Sequence, residues 1–148
     1  MQLGTLWSSA DTDHVLDEPP IVLHDMTAGT GPDLAIGMAI AMDPTPDVHA
    51  HLAAVPSIGR YIALSLAPGP GRRMITSSAY ATAAAVGVRD LVRQLARDHG
   101  AQRLHLFLAV RHGLALLLGH LWGRMPPTLL NEGLGAGNAY QPAFLIPN

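Results

Sequence analysis

The chain has no cysteine and no lysine. Without thiols, a disulfide framework and a thiolate metal site are both excluded. Without lysine, all nine cationic side chains are arginines; in a chain this rich in Ala, Gly and Pro, that reads first as codon bias and only second as function. Charge is also scarce, at 14% of residues with a net charge of −2. A general nucleic-acid binder needs a broad basic surface, so long nucleic acid is not an expected partner. A small anion held by a few local donors is compatible with this balance. No apolar run approaches the roughly 20 residues of a membrane span; the run Leu114 to Leu118, for one, is interrupted by Gly119 and His120. The first residues, MQLGTLWSSADTDH, lack the basic region and apolar core of a signal peptide, so a cytoplasmic location is expected. P-loop, G-x-S-x-G and metalloprotease spacings are missing too, which leaves no motif for catalysis.

What is present describes one compact domain. The 148 residues are 49% apolar, enough to bury a real core. Residues 1–32 form an N-terminal segment whose Ile21-Val22-Leu23 fits a short edge strand, with a turn at Gly29 to Pro32. The domain proper spans 33–148. Leu34 to Met42 is almost free of polar side chains, as a strand covered on both faces would be. Asp43-Pro44-Thr45-Pro46-Asp47 is a helix start, with Val48 to Val55 as a short helix. Tyr61 to Leu66 reads as the next strand and Pro68 to Arg73 as an exposed loop.

Ser77 or Ser78 then caps a long helix reaching Asp98, with Tyr80, Ala84, Val88, Leu91 and Leu95 as its buried stripe. Arg89, Arg93 and Arg97 fall on the outer side, and Gly100 closes the helix. Leu104 to Val110 follows as a strand, turning over Arg111-His112-Gly113 into a helical Leu114 to Gly119. Thr128 to Glu132 and Tyr140 to Ile146 complete the pattern as strands on either side of a glycine-rich turn. Alternating strands and helices predict an α/β, Rossmann-like domain with a mostly parallel sheet flanked by helices.

The order of these segments resembles a known family. An apolar DLAIGMAIAM strand, a D-P-T-P-D-V segment, a Ser77-Ser78 helix start, H-L-F-L-A-V leading into A-L-L-L-G-H-L-W-G-R, then L-L-N-E and G-N-A-Y-Q-P-A-F-L-I-P are similar to the SAVED domain. SAVED domains are sensors of bacterial CBASS and CRISPR anti-phage systems, related to the CRISPR-associated Rossmann-fold (CARF) domains. The resemblance covers roughly Asp33 to Pro147 and is to the carboxyl-terminal half of a SAVED domain. It implies a CARF-like fold, a cyclic oligonucleotide ligand of the cyclic oligoadenylate type, no cofactor, and control of a separate effector. After H-L-F-x-A-V the family usually carries a proline and small residues, where this chain has Arg111-His112-Gly113. Where the family often shows Tyr-Glu, this chain has Asn131-Glu132.

Ligands of open α/β sheets lie outside the carboxyl ends of the strands. Phosphates seek helix N-termini and arginines there, and bases seek amide or carboxylate partners. Arg111, His112 and Gly113 combine a strand end with a helix start and are the first phosphate candidates. Ser77 and Ser78 are candidate donors, although capping alone accounts for one of them. Arg72 and Arg73 sit in a loop able to close over an anion. Asn131 and Glu132 are candidates to read a base edge. Asp43 lies at a strand end too, where it also serves the dipole of the following helix. His49/His51 and His112/His120 lack the spacing of a metal site. Because one half-domain supplies half a pocket, assembly as a homo-oligomer or with a partner chain is expected. Two alternatives stay open: a ring nuclease using His112 as acid or base, and a scaffold half-domain that binds no ligand.

Overall fold

The computed structural model describes residues 19–40, 42–66, 69–71, 78–109, 118–119, 121–133 and 140–147. Strands β1 (Ile21–Thr27), β2 (Asp33–Ala39), β3 (Ile58–Ser65), β4 (Leu104–Ala109), β5 (Thr128–Gly133) and β6 (Tyr140–Ile146) form one sheet. Their spatial order is β1-β3-β2-β4-β5-β6. The four central strands are parallel, and β1 and β6 run antiparallel at the two edges. Helices α1 (Thr45–Leu52) and α2 (Ser78–Asp98) flank the sheet. The α/β reading therefore holds, as a mixed sheet with a parallel centre.

Every residue of β2 is buried, which follows from its sequence, DLAIGMA. Period-two alternation sends Leu34, Ile36 and Met38 to one face and Ala35 and Gly37 to the other. The first set packs against α2 through Ala81, Ala84, Ala85, Val88, Val92 and Ala96. On the opposite face Ala35, Ile58, Tyr61, Ala63 and Phe107 meet Val48 and Leu52 of α1. Removing a large aliphatic side chain such as Leu34 or Ile36 from water contributes about 1.5–3 kcal/mol, so both helices are required to cover this strand.

The buried stripe of α2 differs from the one expected. Ala84 and Val88 are inside, but Leu91 and Leu95 only flank the core, while Ala81, Ala85, Val92 and Ala96 are fully covered. Small residues at the contact line let the helix lie close to the sheet, and the leucines then fill its margins. Gly100 ends the helix as expected, with φ 59°. Its N–H donates to Arg97 O at 3.1 Å and that of Ala101 to Ala96 O at 2.9 Å, the Schellman arrangement.

Four boundaries also move. β2 stops at Ala39 rather than Met42, whose side chain is exposed. α1 begins at Thr45, one turn early, with Pro46 in its first turn, where a missing N–H is harmless. β3 begins at Ile58, and β1 continues to Thr27 with a bulge between Val22 and His24. Of the helix expected at Leu114 to Gly119, only Leu118 and Gly119 are described; both are helical and Leu118 is buried.

The sheet also holds a buried polar pair that the sequence pattern conceals. Asp33 opens β2, and its Oδ2 lies 2.8 Å from Nε2 of His105 on the adjacent β4. Both side chains are under a tenth exposed. A buried carboxylate needs such a partner, and removal of either one leaves the other desolvated and alone.

One glycine in β2 is sterically required. A Cβ at Gly37 would lie 2.2 Å from Tyr61 Oη and 2.9 Å from Tyr61 Cζ. That Oη is 2.8 Å from Thr45 Oγ1 at the start of α1. Gly37→Ala is expected to destabilise the fold by about 1–3 kcal/mol, measured by urea unfolding. Adding Tyr61→Phe should recover only part of the loss, because the ring edge still clashes; strictly additive effects would show that the two sites do not touch.

Candidate functional site

The connections define where a ligand can enter. From β2 the chain passes through α1 to β3 on one side; from β3 it passes through α2 to β4 on the other side of β2. The carboxyl ends of β2 and β4 are therefore the topological switch point, where the two departing connections leave a crevice. Ile40 N–H donates to Ala109 O at 3.2 Å, keeping these ends side by side. Gly71 N–H donates to Ile40 O at 3.0 Å, so the segment after β3 is anchored at the same edge one residue before Arg72.

Asp43 stands just beyond β2 and both its oxygens are engaged. Oδ1 accepts the Thr45 N–H at 2.9 Å, and Oδ2 lies 2.7 Å from His24 Nε2 on β1. With the Thr45–Tyr61 contact, this network ties the edge strand, the β2 end and the start of α1 into one unit. Partial burial pushes the Asp43 pKa up, but the hydrogen bonds from Thr45 and His24 together outweigh it and hold the carboxyl below its ordinary value. Asp43 thus organises one wall of the crevice.

Asn131 lies across the crevice on β5, level with Phe107 on β4. β2 and β5 are separated by one strand, or roughly 10 Å of sheet. The Asn131 Nδ2 group donates to Leu106 O at 3.2 Å and to Leu129 O at 3.3 Å. Those donations fix which way the amide faces, and its Oδ1 is buried with no hydrogen-bond partner among the described residues. A buried, unsatisfied acceptor costs about 1–3 kcal/mol. Here it stands two residues from the carboxyl end of β5. Glu132 follows in the same strand, paired with Gln141 of β6.

The structure places Asp43, Asn131 and Glu132 at the carboxyl side of the sheet. Ser78 is the first residue of α2, which leads from β3 back over the sheet. Arg72, Arg73, Ser77, Arg111, His112 and Gly113 lie outside the described residues. His24, Thr45, Tyr61 and Gly37 were not anticipated, because their roles depend on strand register and on the β1–β3 pairing, for which a single sequence carries no local signal. Among the described residues there is no group of three or more His, Asp or Glu able to hold a metal, and no helix long and apolar enough to cross a membrane.

Comparison with known proteins places this geometry in context. Residues 2–146 match the family model of SAVED, the SMODS-associated and fused to various effectors sensor domain. The match takes in the segment before Asp33 as well. CD-NTase-associated protein 4 of Enterobacter hormaechei is 33% identical over 116 residues, covering 78% of this chain and 22% of that protein. The chain thus spans about a fifth of that relative. Among solved structures, the Acinetobacter baumannii Cap4 SAVED/CARF-domain containing receptor with the cyclic trinucleotide 2'3'3'-cAAA superimposes with a TM-score of 0.69 at 16% identity, covering 90% of this chain and 29% of that one. The Moraxella osloensis Cap4 receptor gives a TM-score of 0.54 at 13% identity, over 90% and 27% of the two chains. At these identities the likeness is one of fold.

The Asp43 network makes a prediction about acid. A carboxyl whose folded pKa lies below its unfolded value adds stability that is complete above the unfolded pKa and lost as pH falls through the folded one. Stability should therefore decline from about pH 4 downward, and Asp43→Asn should flatten that decline. At neutral pH the same variant should unfold up to about 1 kcal/mol more easily, the scale of a carboxylate beside the amino end of a helix. Thermal melts across pH 2.5 to 7 read both effects; an unchanged acid limb in the variant would contradict the assignment.

Proposed function

The chain belongs to the SAVED family, and from that premise we propose that it supplies one wall of a pocket for a cyclic oligonucleotide second messenger. The ligand lies over the carboxyl ends of β2, β4 and β5. The observation that carries this reading is the Asn131 amide at that edge, held by two sheet carbonyls and with an Oδ1 that meets no donor among the described residues. An exocyclic amine of a base, such as that of adenine, supplies the missing donor. Glu132, the next residue, is a second acceptor for base amines. Phosphates fall to Arg111, His112 and the backbone at Gly113, with Arg72, Arg73, Ser77 and Ser78 closing from the connection after β3.

The ligand class is supported by the family and by the Acinetobacter receptor, whose structure holds a cyclic trinucleotide. Asp43 acts indirectly in this account, holding the β2 end and α1 in register. Two copies, or one copy and a partner chain, then face their carboxyl edges together. Ligand that binds only the closed pair shifts the equilibrium toward it and so governs a separate effector. Serving as such a sensor requires no bond cleavage, and the ligand leaves unchanged.

Calorimetry against a panel of cyclic di-, tri- and tetranucleotides tests this directly. One ring size should bind saturably, and Arg111→Ala should weaken it at least tenfold through loss of one charge-assisted contact. Asn131→Ala should weaken adenine-containing rings and spare rings without an exocyclic amine at that position. Chromatography of the incubated ligand should return it intact. Failure of every ring to bind, at any assembly state, would remove the sensor reading, and linear products would replace it with a nuclease.

A further inference from the structure

At the opposite end of the sheet, the amino ends of β4 and β5, lies an open groove of about 990 Å³. Arg93 and Arg97 of α2 line one side, and Arg124, with Met125, Pro126 and Pro127, lines the other. Three of the nine cations of the chain thus share one concavity. Among the described residues no carboxylate lines it. The acids of α2 are engaged elsewhere: Asp90 with Arg89 at 2.8 Å, and Asp98 with Gln94 at 2.7 Å. Among the described residues, neither Arg97 nor Arg124 has a carboxylate within 4.0 Å, and Arg93 reaches Asp90 only at 3.8 Å.

Two further observations mark this as more than a solvated face. Arg93 donates from Nη2 to Gly123 O at 2.7 Å, while its Nε is buried without an acceptor among the described residues. That bond ties the turn carrying Arg124 to α2 and so holds like charges around one opening. Arg124 itself has φ 58°, the one non-glycine residue with a left-handed backbone among those described. Such a backbone is strained for an L-residue, and glycine would adopt it freely. The position of Arg97 in the last turn of α2 is explained by the helix dipole alone. The strained Arg124 and the under-bonded Arg93 are not. Two carbonyls at the helix end, those of Ala96 and Arg97, accept the N–H groups of Ala101 and Gly100, so they are not left as bare acceptors facing an anion.

We propose that this groove is a second anion site, specific for phosphate, separate from the carboxyl-edge crevice. Arg97 and Arg124 contact the anion and Arg93 positions the turn. The phosphate is free or carried by a mononucleotide, whose base then rests on Met125, Pro126 and Pro127.

The test is a titration of the whole chain, followed by amide NMR shifts, with inorganic phosphate, pyrophosphate and adenosine monophosphate in separate arms at matched ionic strength. Saturable amide shifts at residues 93–102 and 123–125 are expected. Tighter binding of the nucleotide than of phosphate would assign the site to nucleotides; equal binding would assign it to the free anion. Arg124→Gly should weaken binding about tenfold, the scale of one charge-assisted contact. Because glycine relieves the backbone strain, that variant should melt no lower than the parent. Arg103→Gln, which removes an exposed cation outside the groove, should leave affinity unchanged. Non-saturating shifts, equal weakening by both variants, or shifts confined to the carboxyl edge would each overturn the proposal.

Discussion

A strand with no exposed residue organises this molecule. β2 is covered on both faces, so α1 and α2 must lie on opposite sides of it: the α1 connection leads from β2 to β3, and the α2 connection crosses from β3 over β2 to β4. From that constraint come the strand order, the two separate cores and the switch point between β2 and β4. The same constraint accounts for Gly37. The α1 face is filled there by the Tyr61 side chain, whose hydroxyl reaches Thr45, and nothing larger than hydrogen fits beneath it.

The site follows from the core rather than being added to it. Tyr61 is a core residue at one end and a partner of the α1 start at the other, so packing energy positions the crevice wall. Asp43 and His24 extend that coupling to the edge strand. Across the crevice the amide of Asn131 is fixed by two carbonyls of the sheet itself. Rigid backbone thus presents an acceptor that meets no donor among the described residues. A preorganised acceptor of this kind loses little entropy on binding, which favours affinity.

Much of the fold could be read from the residues because each signal was local. The DLAIGMA run, the glycine after α2, the proline in the first turn of α1 and the alternation of elements all act through near neighbours. The α2 stripe was misplaced because leucine is the more apolar choice by composition, whereas close packing on a sheet favours alanine. The Asp33–His105 pair and the Asp43–His24 contact link residues 72 and 19 positions apart, and only strand register brings them together. SAVED membership was legible in the H-L-F-x-A-V and L-G-H-L-W spacing, and the family match bears it out. Asn131 was singled out for its residue type at a strand end, but its orphaned oxygen needed the β4–β5 register to become visible. Arg93 and Arg97 were read as a surface stripe; a helix pattern alone does not reveal the loop with Arg124 that faces them.

The two ends of the parallel sheet therefore carry different chemistry, an amide acceptor with anchored loops at the carboxyl edge and three arginines at the amino edge. The central claim is that the messenger binds at the carboxyl edge. Hydrogen–deuterium exchange with and without the best-binding cyclic oligoadenylate of the calorimetry panel separates the two ends most directly. The account predicts slowed exchange at residues 40–45, 71–73, 109–113 and 131–133, with residues 97–102 and 123–127 unchanged. Protection confined to the amino edge, or none anywhere at saturating ligand, would contradict it.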